Sequence, residues 1–183
     1  MMRTLNLDGD RQADLKVHGG VNKAVYGYPS EHYVYWRQEL PEMDLPWGVF
    51  GENLTVEGLD ESTLRIGARF RIGSAEIRVT EPRLPCYKLG IKFGNQEFLR
   101  TFLLSGRTGF YFSVQREGEV GPGDEIELVE DVPESVTIAD LVRLYSTGRD
   151  DQELLRRAIA TEALDEGWRE LSRKQLERIT NPQ

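Results

Sequence analysis

Ala68-Arg69-Phe70-Arg71-Ile72-Gly73-Ser74-Ala75-Glu76-Ile77-Arg78-Val79-Thr80 alternates apolar and polar side chains on either side of a Gly-Ser pair. Successive side chains of a strand point to opposite faces of a sheet, so Ala68, Phe70, Ile72, Ala75, Ile77 and Val79 belong to one buried face. Arg69, Arg71, Glu76, Arg78 and Thr80 belong to the other. The stretch predicts a β-hairpin, and with it a mainly β fold. Its second strand runs without a break into Glu81-Pro82-Arg83-Leu84-Pro85-Cys86-Tyr87-Lys88-Leu89-Gly90, which holds the only cysteine among 183 residues. The sheet thus delivers Cys86 at a strand end, where rigid scaffolds commonly present reactive groups.

Pro82 and Pro85 fix φ and bias the residues before them towards extended backbone, so the cysteine is expected on a stiff loop rather than in a helix. Thiols react and ligate as thiolates, and positive charge from Arg83 and Lys88 favours that form. The competing reading is a small, inert, buried apolar side chain. Both readings stay open on these residues alone.

Working outward, Leu5-Asn6-Leu7-Asp8-Gly9-Asp10 reads as an extended piece entering an Asp-Gly turn. Lys16-Val17-His18-Gly19-Gly20-Val21-Asn22-Lys23 is a polar loop feeding a strand from Ala24 to Tyr28. Gly19 and Gly20 let backbone approach a ligand, and Lys23 with nearby amides offers an anion cradle, against the plainer reading of a loop that merely turns. Tyr33, Trp36 and Leu40 recur at helical spacing, with Pro29 in a first turn and Pro41 as the stop. His32 falls on that helix as a partly exposed residue. Residues 48–58 form a glycine-bounded loop and short strand, in which Glu52 and Asn53 either orient a ligand or satisfy the turn. A helix over residues 96–104 and strands over 108–114 and 125–129 follow.

After Asp131-Val132-Pro133 three helical patterns appear. Thr137 with Asp140 makes a capping box, Leu154, Leu155, Ala158 and Ile159 form an apolar stripe, and Ser172 with Gln175 caps Leu176 and Ile179. The expected organisation is a β domain over residues 1–130 and a helical appendage over residues 131–183.

A net charge of −8 argues against a duplex nucleic-acid binder. One cysteine makes no internal disulfide, and no apolar run resembles a signal peptide or a membrane span, which places the chain in the cytoplasm. Two histidines and one cysteine match no familiar zinc spacing. Phosphate-binding and dinucleotide fingerprints are absent.

The residues His18-Gly19-Gly20-Val21-Asn22-Lys23-Ala24-Val25, Gly51-Glu52-Asn53-Leu54, Ile66-Gly67-Ala68, Pro82-Arg83-Leu84-Pro85-Cys86-Tyr87-Lys88-Leu89 and Thr108-Gly109-Phe110-Tyr111 together resemble the MOSC family, the molybdenum cofactor sulfurase carboxy-terminal domain. The likeness is to its YiiM-like members, whose three-helix domain resembles residues 136–180. The resemblance implies a MOSC-type β-barrel with short inserted helices and a small carboxy-terminal three-helix appendage. It implies a molybdenum cofactor (molybdopterin) held through Cys86 on the metal, and reduction of N-hydroxylated compounds such as hydroxylaminopurines, with electrons from a separate reductase. Cofactor contacts then fall to His18, Gly19, Gly20, Asn22, Lys23, Asn53 and Arg83. An alternative within the family is a sulfur or cofactor carrier with a persulfide on Cys86. A homodimer fits either role. YiiM-like members usually begin with a further strand segment before the Leu-Asp-Gly-Asp region, so either the start at Met1 is shortened or the barrel closes differently, and a missing strand would expose a sheet edge and leave the cofactor cleft incomplete.

Overall fold

The computed structural model describes residues 1–9 and 20–181. Six strands form one curled sheet, half of a barrel, in the order β2-β1-β5-β4-β3-β6. The hairpin is β3 (Arg69–Ile72) and β4 (Ala75–Pro82), antiparallel, with Ile72 opposite Ala75 and Phe70 opposite Ile77. Phe70, Ile72, Ala75, Ile77 and Val79 are all buried, as the alternation requires. β1 (Val25–Pro29) and β5 (Phe110–Arg116) lie on the far side of β4, β2 (Leu54–Val56) runs parallel to β1, and β6 (Ile126–Glu130) pairs with β3. Pro29 ends β1 instead of opening a helix. Among the described residues β2 and β6 are the two edges, and β6 exposes Leu128 and Val129.

The centre of the sheet is tight. At Gly27 a Cβ would lie 2.9 Å from the Phe112 ring, and at Gly109, where φ is +70°, one would lie 2.6 Å from the Gly27 carbonyl oxygen. Only glycine satisfies both limits at position 109. Gly109 in turn accepts from the Arg83 amide at 3.2 Å, which anchors the start of the cysteine loop to the sheet.

Three short helices cover one side of the sheet: α1 (Glu31–Glu39), α2 (Tyr87–Lys92) and α3 (Phe98–Leu104). They bury an aromatic cluster in which Tyr28, Tyr33, Trp36, Phe50, Phe98 and Phe102 pack ring against ring. The Trp36 indole donates to the Tyr28 hydroxyl at 2.7 Å, which satisfies a polar atom that burial would otherwise penalise. His32 is not partly exposed as expected. It is buried, its Nε2 lies 2.7 Å from Glu61, and the other Glu61 oxygen accepts the Gly109 amide at 2.8 Å. Helix α2 was not legible between the prolines and Gly94, because a single turn shows no hydrophobic period.

Helices α4 (Ile138–Ser146), α5 (Gln152–Ala160) and α6 (Glu166–Thr180) follow the sheet. The predicted capping box is present: Asp140 donates its amide to Thr137 Oγ1, and Thr137 donates its amide to the Asp140 carboxylate, both at 3.1 Å. The start expected at Ser172 is corrected. Asp165 caps α6 through the Gly167 amide at 2.8 Å, and Ser172 lies inside the helix, donating its hydroxyl to the Trp168 carbonyl. A serine that bonds back one turn mimics a cap in sequence without being one. The tail is sewn to the sheet by Ile66 and Ile138, whose amides donate to Val136 and Leu64 carbonyls at 2.9 Å. Ile138, Leu141, Leu154 and Ala158 share one apolar core with Ile66, Ile77 and Val79. No helix among the described residues is long and apolar enough to cross a membrane.

Candidate functional site

Strand β4 slips register between Val79 and Glu81, a bulge of the kind that re-aims side chains beside functional sites. Beyond it the chain leaves the sheet through Arg83-Leu84-Pro85 and reaches Cys86 at the head of α2, in extended backbone, with its carbonyl accepting from the Leu89 amide at 2.9 Å. The thiol is free and half-buried. It stands on the wall of a cleft of about 630 Å³, together with Gly20, Asn22 and Lys23 from the turn before β1. A single short 3₁₀ turn, Val21–Lys23, presents these groups, opening at Gly20, whose φ of 108° suits glycine. The Thr80 hydroxyl lies 2.5 Å from the Asn22 carbonyl oxygen, and this pins the turn against β4.

The tail also contributes to this cleft. Tyr145, Asp165, Trp168 and Leu171 line it together with Cys86. The Trp168 indole donates to Glu81 Oε2 at 3.1 Å, and Lys23 Nζ lies 3.8 Å from the same oxygen. The Asn22 amide donates to Asp165 Oδ2 at 3.2 Å. Burial pushes the Glu81 carboxyl up, with Asp165 adding to the rise, and the bonds from Trp168 and Lys23 only partly oppose it. The neutral form of Glu81 is therefore favoured more than that of an ordinary glutamate.

Behind the cysteine loop the Arg83 guanidinium is buried, 5.0 Å above the Tyr26 ring and 5.5 Å from that of Phe102. Its Nη1 is a buried atom with no hydrogen-bond partner among the described residues. Burial works against its charge, but the neighbouring Tyr26, Tyr111 and Cys86 side chains offset that and leave its pKa raised. Lys88, by contrast, is exposed on α2.

The structure thus gathers Gly20, Asn22, Lys23 and Cys86 on one cleft. Arg83 does not line it and lies buried against Tyr26 and Phe102. Asn53 is elsewhere: it accepts the Tyr26 amide at 2.8 Å and lines a second cleft between β2 and the loop before β6. Glu52 likewise serves its own loop, accepting from the Gly48 amide at 2.9 Å and from the Tyr33 hydroxyl. His18 and Gly19 lie outside the described residues. Among the described residues no group of three or more His, Cys, Asp or Glu side chains is placed to hold a metal ion. Glu81, Tyr145, Asp165 and Trp168 escaped the sequence reading. No parity signal pointed to Glu81, because the bulge between Val79 and Glu81 breaks the alternation and Thr80, Glu81 and Pro82 are all buried.

The MOSC domain family model matches residues 14–127, a span that includes the cysteine loop and the turn facing it. The chain belongs to the MOSC domain family. Residues 136–178 of this MOSC protein match the YiiM-like three-α-helix domain. It is 37% identical to protein YiiM of Escherichia coli over 170 residues, covering 92% of this chain and 75% of that one. It is also 37% identical over 125 residues to a protein named reductase from Gibberella moniliformis, covering 67% of this chain and 22% of that one. The crystal structure of YiiM from Geobacillus stearothermophilus superposes with a TM-score of 0.80 at 36% identity, over 86% of this chain and 80% of that chain.

Proposed function

We propose that this MOSC protein is a molybdenum-cofactor-dependent reductase of N-hydroxylated compounds, hydroxylaminopurines among them, with Cys86 as the thiolate ligand to the metal. The observation that carries the reading is the company Cys86 keeps: a half-buried thiol on a cleft wall, backed by the buried Arg83 guanidinium with its orphaned Nη1. Ligation needs the thiol deprotonated, and a soft sulfur donor suits molybdenum better than a carboxylate would.

The remaining residues fit the anionic, polar part of such a cofactor. At Gly20 nothing stands within 4 Å of where a Cβ would be, so backbone is open to a ligand there. Asn22 supplies an amide, and Lys23, 3.8 Å from Glu81, supplies an ammonium for phosphate. Glu81 and Asp165 also face the cleft, and the bias of Glu81 towards its neutral form limits their repulsion of an anion. His18 and Gly19 stay in the proposed set through the family resemblance.

When bound, the cofactor supplies two-electron transfer at the metal. The balance is R–NH–OH + 2 H⁺ + 2 e⁻ to R–NH₂ + H₂O, with electrons from a separate reductase. The chain's own part is to hold the ring and the N–OH group in the cleft beside Cys86. The reaction belongs in the cytoplasm, where a lone cysteine stays reduced.

The test is molybdenum analysis of protein purified from a host that makes the cofactor, beside Cys86→Ser. The expected result is about one metal per wild-type chain, none in the variant, and reduction of a hydroxylaminopurine by the wild type alone. Wild type free of metal, with a removable extra sulfur on Cys86, would replace this reading with the carrier.

A further inference from the structure

A second cavity of about 220 Å³ lies between α4 and α6, walled by Leu144, Tyr145, Leu155, Trp168 and Leu171. Arg149 and Gln175 supply polar atoms to it. Tyr145, Trp168 and Leu171 also line the Cys86 cleft, so the smaller space adjoins the larger at these three side chains as an annex. We infer that the annex receives the ring of a flat heteroaromatic substrate, held against Tyr145, Trp168 and Leu171, while its N–OH substituent reaches into the Cys86 cleft. The inference rests on the proposed function and deepens it by naming the part of the substrate that the tail recognises.

Four observations support it. Tyr145 is 36% exposed and Leu171 49% exposed at this spot, on helices that otherwise turn charged side chains outward. The Tyr145 and Trp168 rings meet edge-on at 62° with centroids 6.1 Å apart, so they form a corner of two aromatic faces rather than a stacked, closed pair. The Trp168 ring is held in place by its bond to Glu81, which spares a ligand the entropy of ordering it. The annex is sized for one small ring system, and its apolar wall with a few polar atoms is the usual make-up of a small-molecule site. A lone exposed leucine would mean little. Three apolar side chains shared between two cavities, one of which holds the thiol, mean more.

The test uses binding as well as turnover. Adenine and cyclohexanol are titrated by calorimetry into purified wild type, Tyr145→Ala, Leu171→Lys and Tyr145→Phe. Adenine is expected to bind the wild type and Tyr145→Phe alike, about tenfold more weakly to the other two variants, and cyclohexanol to show no comparable binding. Unchanged adenine affinity in Tyr145→Ala and Leu171→Lys overturns the inference, as does equal binding of cyclohexanol. In the loaded enzyme Tyr145→Ala raises KM for a hydroxylaminopurine severalfold more than it raises KM for hydroxylamine, which has no ring. Tyr145-dependent adenine binding in a protein that takes up no metal would uphold the annex and defeat the reductase. Cys86-dependent turnover with a KM indifferent to Tyr145 would do the reverse.

Discussion

Glu81 carries two loads at once, a hydrogen bond from the tail and a share of the cleft's charge. Its pKa is raised, chiefly by burial. The folded protein therefore binds this proton more tightly than the unfolded chain, so the contribution to stability is complete below the ordinary glutamate value of 4.5 and is lost as pH climbs through the raised value. Glu81→Gln keeps an acceptor for the Trp168 indole and removes the titration. Thermal melts between pH 4 and 8 should show a flatter upper limb for the variant than for the wild type; parallel curves would contradict the assignment. At this scale the cysteine loop, Gly20, Asn22 and Lys23 were legible because prolines, glycines and charge announce themselves locally. Asp165 and Trp168 were not, since nothing in a helical pattern says which distant strand it will fold back upon.

Elements were read well where pattern and burial agree. The hairpin succeeded because buried residues alternate with more exposed ones from Arg69 to Val79, which is what alternation encodes; Thr80, expected on the polar face, is buried, since the alternation ends at the bulge. The start of α4 succeeded because Thr137 and Asp140 satisfy each other's orphan amides. Thr137→Ala should cost about 1 kcal/mol, measured as a lower urea midpoint with unchanged m-value. The start of α6 failed because an acid at Asp165 precedes Glu166-Gly167, a weak signal, whereas Ser172 with Gln175 looks stronger and is not used. Asn53 was misplaced for a related reason. Its side chain pairs with β1 backbone, and strand pairing between segments far apart in sequence cannot be read from either segment alone.

For the whole molecule, the expected division at residue 130 meets a core that runs across it. Val136, Ile138, Leu141 and Leu154 belong to the same apolar cluster as Ile66, Ile77 and Val79, and the tail closes the cleft through Trp168 and Asp165. Residues 1–130 made alone should therefore be soluble only as a loosely packed species, with weak near-ultraviolet dichroism and binding of an apolar dye. The full chain should unfold in one transition, coincident by tryptophan fluorescence and far-ultraviolet dichroism. Two separate transitions would show that the helices melt as an independent unit.

The strand order has a consequence during synthesis. β1 finds its antiparallel partner only when β5 has been made, since Val25 pairs with Phe112 and Gly27 with Phe110. At about 5–20 residues per second, that wait on the ribosome is roughly 4–17 s. Throughout it β1 has only the short parallel strand β2 to pair with, so Tyr26 and Tyr28 stay open to chaperones and to neighbouring polysomes until β5 emerges.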